Sequence, residues 1–564
     1  MKIKKKRLGD LLVEAGVIDD EQLRAALDEQ RGKKAKLGEV LIQMGITTEE
    51  EIADVLEAQL NICRVNLYEI KIPEEVIAVI TDSALLKKYV VMPYGFTDDG
   101  SGLMLAMADP TDLMSIDDLG IITGLQIVPA LAISKDILAT VDKYYGDAEA
   151  RAVVELYRKE RESEGRVIDE EESEDVANAP IVMLVKSLIE QAVRRRASDI
   201  HIEPLNDRVR IRNRVDGVLI DVGTYASAMM PAIIARVKIL GGMDISEKRK
   251  SQDGRITQIV DRMEYDIRVS TLPTVFGEKA VLRLTAKTVL THDKKKLGFT
   301  DEELEKFNKI LANPNGIILV TGPTGSGKST TLYTALSELN TENVNIVTVE
   351  DPVEANLDGV NQVQVNVKAN LTFASALRSI LRQDPDIIMI GEIRDGETAN
   401  IAVTASITGH LVVSTLHTNS AVSSISRLSD MGVAPYLIAD STVGIIAQRL
   451  VRKLCTCKQK REATPEEKKS LGASENEILH IHDAAGCVRC NYTGYLGRTG
   501  VYEIMPITKR IRAAIASMSS MEEIEQIAID EGMTTLRLSA SKLVREGITT
   551  LHELDRITYS NDVW

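Results

Sequence analysis

The run VTGPTGSGKST, from Val320 to Thr330, sets glycines, a lysine and hydroxyls at the spacing Gly322-x-x-x-x-Gly327-Lys328-Ser329. That spacing suits a phosphate-binding loop, because glycines let successive backbone N–H groups close around phosphate oxygens without side-chain clashes. Lys328 brings positive charge to the β- and γ-phosphates, and the Ser329 hydroxyl can bind Mg²⁺. Gly322, Pro323, Thr324, Gly325, Ser326, Gly327, Lys328, Ser329 and Thr330 are the expected contacts for ATP and Mg²⁺. Such a loop needs a buried strand before it and a helix after it. Ile317 to Val320 reads as the strand, and the chain from Ser329 onward as a helix whose N-terminus adds to the anion site.

Acidic groups recur where further strands should end. Asn345 to Val349 reads as a second strand, delivering Glu350, Asp351 and, past Pro352, Glu354. Ligands of open α/β sheets lie at the carboxyl ends of strands, where carboxylates can orient or deprotonate an attacking water. A third strand, Ile387 to Ile390, ends in Gly391-Glu392, which puts an acid beside the expected Mg²⁺. His410 and His417 bracket a fourth apolar strand, Leu411 to Ser414. An imidazole there either senses the γ-phosphate by hydrogen bonding or is structural.

Four of the five cysteines cluster as Cys455-Thr-Cys457 and Cys487-Val-Arg-Cys490, while Cys63 stands alone. This is no disulfide framework for a chain of this length, and a reducing compartment fits. The four thiolates can hold a tetrahedral Zn²⁺, although C-x-C departs from the usual two-residue gap; the alternative is four reduced thiols that sit close.

The elements that position these groups belong to a long chain. At 564 residues it exceeds one core, and several domains are expected. The formal net charge of -16 and 4% aromatic content argue against a nucleic-acid motor with a broad basic surface. No apolar run approaches the roughly 18–20 residues that span a bilayer. The start, MKIKKKR, resembles a signal-peptide n-region, but Asp10 and Glu14 interrupt the apolar stretch that should come after it, so the chain reads as mature and cytosolic.

Residues 1–65 contain an internal repeat in which Arg7-Leu8-Gly9 and Gln30 recur as Lys36-Leu37-Gly38 and Gln59. Each copy reads as two helices with a glycine break, and Asp19 or Thr47 near the start of the second as a cap. Residues 66–145 read as a small α/β unit, 146–179 as a charged linker, and 180–292 as an α+β domain with strands at Val209–Val215 and Tyr265–Ser270. Thr300 to Glu303 is a capping-box sequence that opens a helix at the start of the nucleotide domain, 297–454, which a cysteine-containing helical region, 455–564, follows.

From about Pro180 to the C-terminus these motifs resemble the secretion ATPase superfamily, specifically the type II secretion and type IV pilus assembly ATPases. The stretches Ala197–Pro204, Arg212–Gly217 and Gln252–Arg255 resemble its pre-motor domain; Thr348–Glu354, Gly391-Glu392 and His410–His417 resemble its aspartate box, Walker B and histidine box. The resemblance implies an α/β multidomain protein: a RecA-like P-loop motor behind an α+β, PAS-like pre-motor domain and an N-terminal helical plus α/β module. It implies Glu354 as general base, Glu392 as the acid placing Mg²⁺ and water, and Glu350 and Asp351 as supports. Arginines complete such sites in hexamers, and Arg212, Arg214, Arg255 and Arg268 are the candidates, since guanidinium forks match phosphate oxygens. The late cysteines resemble the family's tetracysteine element. The N-terminal repeat resembles the MshEN module, which binds cyclic di-GMP through Arg-Leu-Gly and glutamine motifs; Lys36 departs from the second arginine and loses its planar fork.

The implied function is a homo-hexameric ATPase that drives pilin polymerisation, as in type IV pilus extension, through an inner-membrane platform protein. It would be cytoplasmic, peripheral at the inner-membrane face, with no direct nucleic-acid contact. Retraction ATPases of the superfamily lack the N-terminal module and the cysteines, so this length favours extension. The alternatives are a type II secretion ATPase driving pseudopilus assembly, a DNA-uptake or nucleic-acid motor, and a cyclic di-GMP receptor.

Overall fold

The computed structural model describes residues 8–30, 37–60, 62–145, 179–261, 263–286, 294–474 and 476–558. They fall into two compact units, one holding the chain up to Val260 plus Asp266–Thr285 and the other Asp261–Tyr265 plus the chain from Ala286.

In the first unit the repeat is two helical pairs, α1 (Leu8–Glu14) with α2 (Asp20–Gln30) and α3 (Leu37–Gln43) with α4 (Glu49–Leu60). Gly16 and Gly45 each end a first helix at φ +70°, the left-handed conformation that glycine adopts without strain. Asp19 caps α2 through the Gln22 amide N–H (2.8 Å), and Gln22 returns the bond. In the second copy Thr48, one residue beyond the expected Thr47, makes the matching box with Glu51. Thr48 is the residue placed to face the N3 amide, and Thr47 instead donates to the Glu51 carboxylate.

Short helices α5 (Glu74–Ile77) and α6 (Ser83–Tyr89) lead into β1 (Val91–Phe96), β2 (Gly102–Met107), α7 (Leu113–Thr123), β3 (Gln126–Leu131) and a further helix, α8, at 134–145. The sheet runs β1-β2-β3, with a parallel β2–β3 pair joined through α7. Beyond α9 (Ala179–Arg194) comes a six-stranded sheet of order β6-β5-β4-β9-β8-β7. Its strands are β4 (Ala197–Pro204), β5 (Arg208–Val215), β6 (Val218–Ala226), β7 (Gln252–Val260), β8 (Met263–Thr274) and β9 (Gly277–Ala286), with α10 (Met230–Gly241) between β6 and β7.

The second unit opens with α11 (Asp301–Leu311), capped as its sequence predicts: the Glu303 amide donates to Thr300 Oγ1 and the Thr300 amide to Glu303 Oε2. A seven-stranded sheet of order β12-β11-β13-β14-β10-β15-β18 comes next. Strands β10 (Gly316–Thr321), β11 (Ile346–Glu350), β13 (Ile387–Ile390) and β14 (Leu411–Leu416) are buried at every residue. Parallel strands with both faces covered read as unbroken apolar runs for this reason. The covering helices include α12 (Lys328–Leu339), α13 (Phe373–Ile380), α14 (Gly396–Ile407), α15 (Ser423–Asp430) and α16 (Pro435–Ser441).

Strands β12 (Asn361–Gln364) and β15 (Thr442–Leu454) pair in parallel with their neighbours β11 and β10. A hairpin of β16 (Gln459–Glu462) and β17 (His480–Asp483) encloses α17 (Pro465–Ser470). Then β18 (Tyr495–Pro506), well past residue 454, runs antiparallel to β15 and forms an edge of the same sheet. Helices α18 (Lys509–Ala516), α19 (Met521–Asp530), α20 (Leu536–Arg545) and α21 (Leu551–Thr558) complete the unit. Glu553 on α21 is 0% exposed and accepts from the Arg452 amide (2.8 Å) and from the guanidinium groups of Arg452 and Arg556. No helix among the described residues is long and apolar enough to cross a membrane.

Candidate active site

Strands β10, β11, β13 and β14 are mutually parallel, so the groups at their carboxyl ends gather at one edge of the sheet. The phosphate loop leaves β10 and enters α12 through two glycines that admit no side chain. A Cβ on Gly322 (φ +150°) would lie 2.5 Å from the Gln448 carbonyl oxygen, and one on Gly327 (φ +90°) 2.8 Å from Gln448 Nε2. Gln448 and Arg449, on the neighbouring β15, are thus the floor of the loop. Gln448 Oε1 accepts from Thr331 (2.8 Å), and Arg449, only 8% exposed, donates to the Gln448 and Asn419 carbonyls. Sequence reasoning passed over this pair. Its signal was a glutamine and an arginine inside the apolar run GIIAQRLV, since buried polar groups need a reason.

Lys328 donates to the Gly322 (2.9 Å) and Pro323 (3.1 Å) carbonyls at the loop's start. Burial pushes its pKa down to about 8, assisted by Arg449 and opposed by the Glu392 and Glu354 carboxylates. The charges of those two acids, past the ends of β13 and β11, are thus felt at the lysine. Glu392 is flanked by the Arg394 guanidinium and by His417 Nε2 at 3.4 Å. Its Oε2 is buried with His417 Nε2 as its recorded neighbour and no hydrogen bond of good geometry, so it is a donor atom that fits a cation. Burial and the Lys328 charge push the His417 pKa below its ordinary value, which favours the neutral imidazole despite Glu392.

His410 lies at the other end of β14, with Nδ1 2.9 Å from the Ala405 carbonyl. Seven steps of about 3.3 Å along the strand separate the two histidines, which puts them about 23 Å apart. Only His417 stands at the phosphate end.

The two glutamates of the aspartate box have different surroundings. Glu354 is exposed, whereas Glu350 is 3% exposed and its carboxylate accepts from Thr348 Oγ1 (2.7 Å), Gln362 Nε2 (3.0 Å) and the Tyr333 hydroxyl. Glu350 is a buried anchor with both carboxylate oxygens engaged within the protein, and Asp351 is exposed beside it.

The four candidate arginines lie on the six-stranded sheet of the first unit, each already held by an acid or a carbonyl. Arg212 forks onto Glu203 (2.9 and 2.8 Å), Arg214 donates to the Gly217 carbonyl, Arg255 pairs with Asp266, and Arg268 lies 4.0 Å from that same acid. Burial pushes the Glu203 pKa up, but hydrogen bonds from Arg212, Lys279 and Arg210 outweigh it and hold the value at about 2. Arg283, which no sequence motif marks, pairs with Asp199 at 3.0 Å.

In the repeat, Gly9 and Gly38 sit where helices meet: a Cβ on Gly9 would lie 2.7 Å from Leu23 Cδ1, and one on Gly38 3.3 Å from Ile52 Cδ1. Leu8 and Leu37 pack on the same core, and Gln30 ends α2 half-buried. Arg7, Lys36 and the Gln59 side chain lie outside the described residues.

The four late cysteines converge. Their sulfurs all lie within 4.8 Å of one another, with Cys455–Cys487 and Cys487–Cys490 at 3.8 Å and Cys457–Cys490 at 3.9 Å. Zn–S bonds of about 2.3 Å in a tetrahedron separate sulfurs by about 3.8 Å, so the site fits Zn²⁺ despite its C-x-C arm. The Cys487 and Gly494 amides donate to Cys490 Sγ at 3.1 and 3.2 Å, as they would to a thiolate ligand.

Residues 174–556 match the family model described as type II/IV secretion system protein, and residues 60–151 match the MshEN domain model. The type IV pilus assembly ATPase PilB of Myxococcus xanthus is 41% identical over 562 residues, covering 97% of this chain and 98% of that one. The type II secretion system protein E of Xanthomonas campestris pv. campestris is 44% identical over 480 residues, 84% of each. Among solved structures, the Legionella pneumophila ATPase DotB superposes with a TM-score of 0.50 at 21% identity, covering 67% of this chain and 95% of that one, a likeness of fold alone.

Proposed function

The chain belongs to the type II/IV secretion system protein family and is a P-loop ATPase, and from that premise we propose that it is the hexameric extension motor of a type IV pilus. One observation carries the choice of system: the pilus assembly relative aligns over 97% of this chain, N-terminal repeat included, against 84% for the secretion relative. A type II secretion motor driving a pseudopilus is the second reading, supported by the 44% identity of that relative where it aligns.

In the cycle we propose, the loop amides and Lys328 hold the phosphates of ATP, and Glu354 accepts the proton of the attacking water. Ser329 and Glu392 would hold Mg²⁺, which when bound supplies neutralising charge to the phosphates. The neutral imidazole of His417 can hydrogen-bond the γ-phosphate and lose that partner after hydrolysis. Lys328, Glu392 and His417 lie just past the ends of three adjacent strands, so a change of charge among them is felt by one rigid sheet. Two of Arg212, Arg214, Arg255 and Arg268, on the PAS-like pre-motor domain, complete the site in the ring, exchanging their acid partners for phosphate.

The ring acts at the cytoplasmic face of the inner membrane on a platform protein, and through it on pilins. Zn²⁺ on Cys455, Cys457, Cys487 and Cys490 braces the connection between β15 and β18. The N-terminal repeat and the α/β half behind it form an MshEN-like receptor for cyclic di-GMP, with 146–179 as the linker to the pre-motor domain. Turnover per subunit, measured as protein concentration is raised through the range where hexamers form, should rise with assembly. Monomers that hydrolyse ATP as fast as hexamers would overturn the shared-site reading.

A further inference from the structure

We propose that Tyr333 and Gln362 are positioning residues that set where Glu354 stands over the phosphate loop. The proposal rests on the reading of Glu354 as general base. The chain between β11 and β12 carries Glu354 on an exposed loop, yet three of its backbone groups are tied down by two side chains. The Glu354 amide donates to the Tyr333 hydroxyl at 3.2 Å, Gln362 Nε2 donates to the Ala355 carbonyl at 3.0 Å, and the Leu357 amide donates to Gln362 Oε1 at 2.8 Å. Both side chains also donate to buried Glu350, which Thr348 holds from below. A single network built on buried Glu350 thus grips the loop at Glu354 and over the three residues after it.

Direction within the network is set by chemistry. Glu350, as a carboxylate, only accepts, so the Tyr333 hydroxyl must give it its proton and turn a lone pair to the Glu354 amide. Burial, and then the neighbouring Glu350 charge, push the phenol pKa up and keep that proton in place. Tyr333 is 2% exposed and sits on α12, five residues after Lys328. At 1.5 Å per residue the two are about 7.5 Å apart along one helix. The helix that receives the phosphates therefore also fixes the loop bearing the base, and the base-to-phosphate distance is built into one rigid element. A misplacement of about 1 Å costs up to 10²-fold in rate, which is the effect such a brace prevents.

Steady-state turnover and ATP affinity of the full-length protein carrying Tyr333→Phe, and separately Gln362→Leu, test this. Each variant should lose roughly 10- to 100-fold in kcat with ATP affinity within about twofold, because the phosphate contacts stay in place. Each substitution is then repeated in a Glu354→Gln background. Positioning through Glu354 predicts that neither costs anything further there. Unchanged kcat in both single variants, or losses that multiply with Glu354→Gln, would overturn the proposal. Full turnover by Glu354→Gln alone would instead remove the base assignment on which it stands.

Discussion

Glu350→Gln and Glu354→Gln, the same substitution four residues apart, should fail in different ways. At position 350 the buried carboxylate accepts three hydrogen bonds, two on Oε1 and one on Oε2. An amide presents one oxygen and one NH₂. If the NH₂ faces Thr348 and Gln362, it meets the Gln362 donor, and if it faces Tyr333, the hydroxyl proton loses its acceptor. Either way at least one buried bond is lost, at a cost of about 1–3 kcal/mol. For a unit of this size that is a fall of several degrees in melting temperature, with about tenfold lower turnover as the Glu354 loop loosens. At exposed position 354 the change should move stability by no more than about 0.5 kcal/mol. It should remove the 10²- to 10⁴-fold typical of general-base catalysis, about 2.7–5.4 kcal/mol of barrier, while ATP still binds. Thermal unfolding, calorimetric ATP binding and steady-state turnover on the two variants supply the comparison. A stable Glu350→Gln protein without turnover, beside an active Glu354→Gln protein, would mean that the roles are reversed.

Glu553→Ala should destabilise the second unit by about 3–5 kcal/mol, because it strands the nearly buried Arg452 guanidinium; thermal unfolding reads it out. Burial alone would raise the Glu553 pKa, but hydrogen bonds from Arg452 and Arg556 hold it below its ordinary value. Its contribution is therefore full above about pH 4.3 and fades as pH falls through the depressed value, an acid dependence that Glu553→Gln should lack. Purified protein should carry one zinc per chain by elemental analysis. Cys490→Ser should lose the metal and expose 455–494 to proteolysis, and wild-type protein with four titratable thiols and no metal would contradict the site.

Much of the candidate site was legible because parallel strands buried on both faces leave unbroken apolar runs, and a candidate site residue follows each run here. Lys328, Glu354, Glu392 and His417 stand beyond four such strands. What sequence could not rank is orientation. Glu350 and Glu354 look alike in EDPVE, yet one faces the core and the other solvent. His410 and His417 bracket one strand, and only strand direction separates the residue packed on the Ala405 carbonyl from the one beside Glu392. Tyr333 and Gln362 carry no motif, because the contacts that matter bring residue 333 on a helix and residue 362 on an edge strand to one loop. The C-x-C spacing counted against zinc until the backbone turn at Cys455–Cys457 brought its sulfurs into tetrahedral range. The edge strand β18 was hidden for a similar reason: a cysteine-bearing excursion of some forty residues separates it from its antiparallel partner β15.

The assignment to pilus extension is tested by replacing the chromosomal copy with the Glu354→Gln allele and counting surface pili alongside secreted proteins in the same cultures. A motor that spends ATP on pilus extension predicts normal levels of the variant protein, no surface pili and an unchanged secreted fraction. Pili in normal number, or a loss confined to secretion, would contradict it.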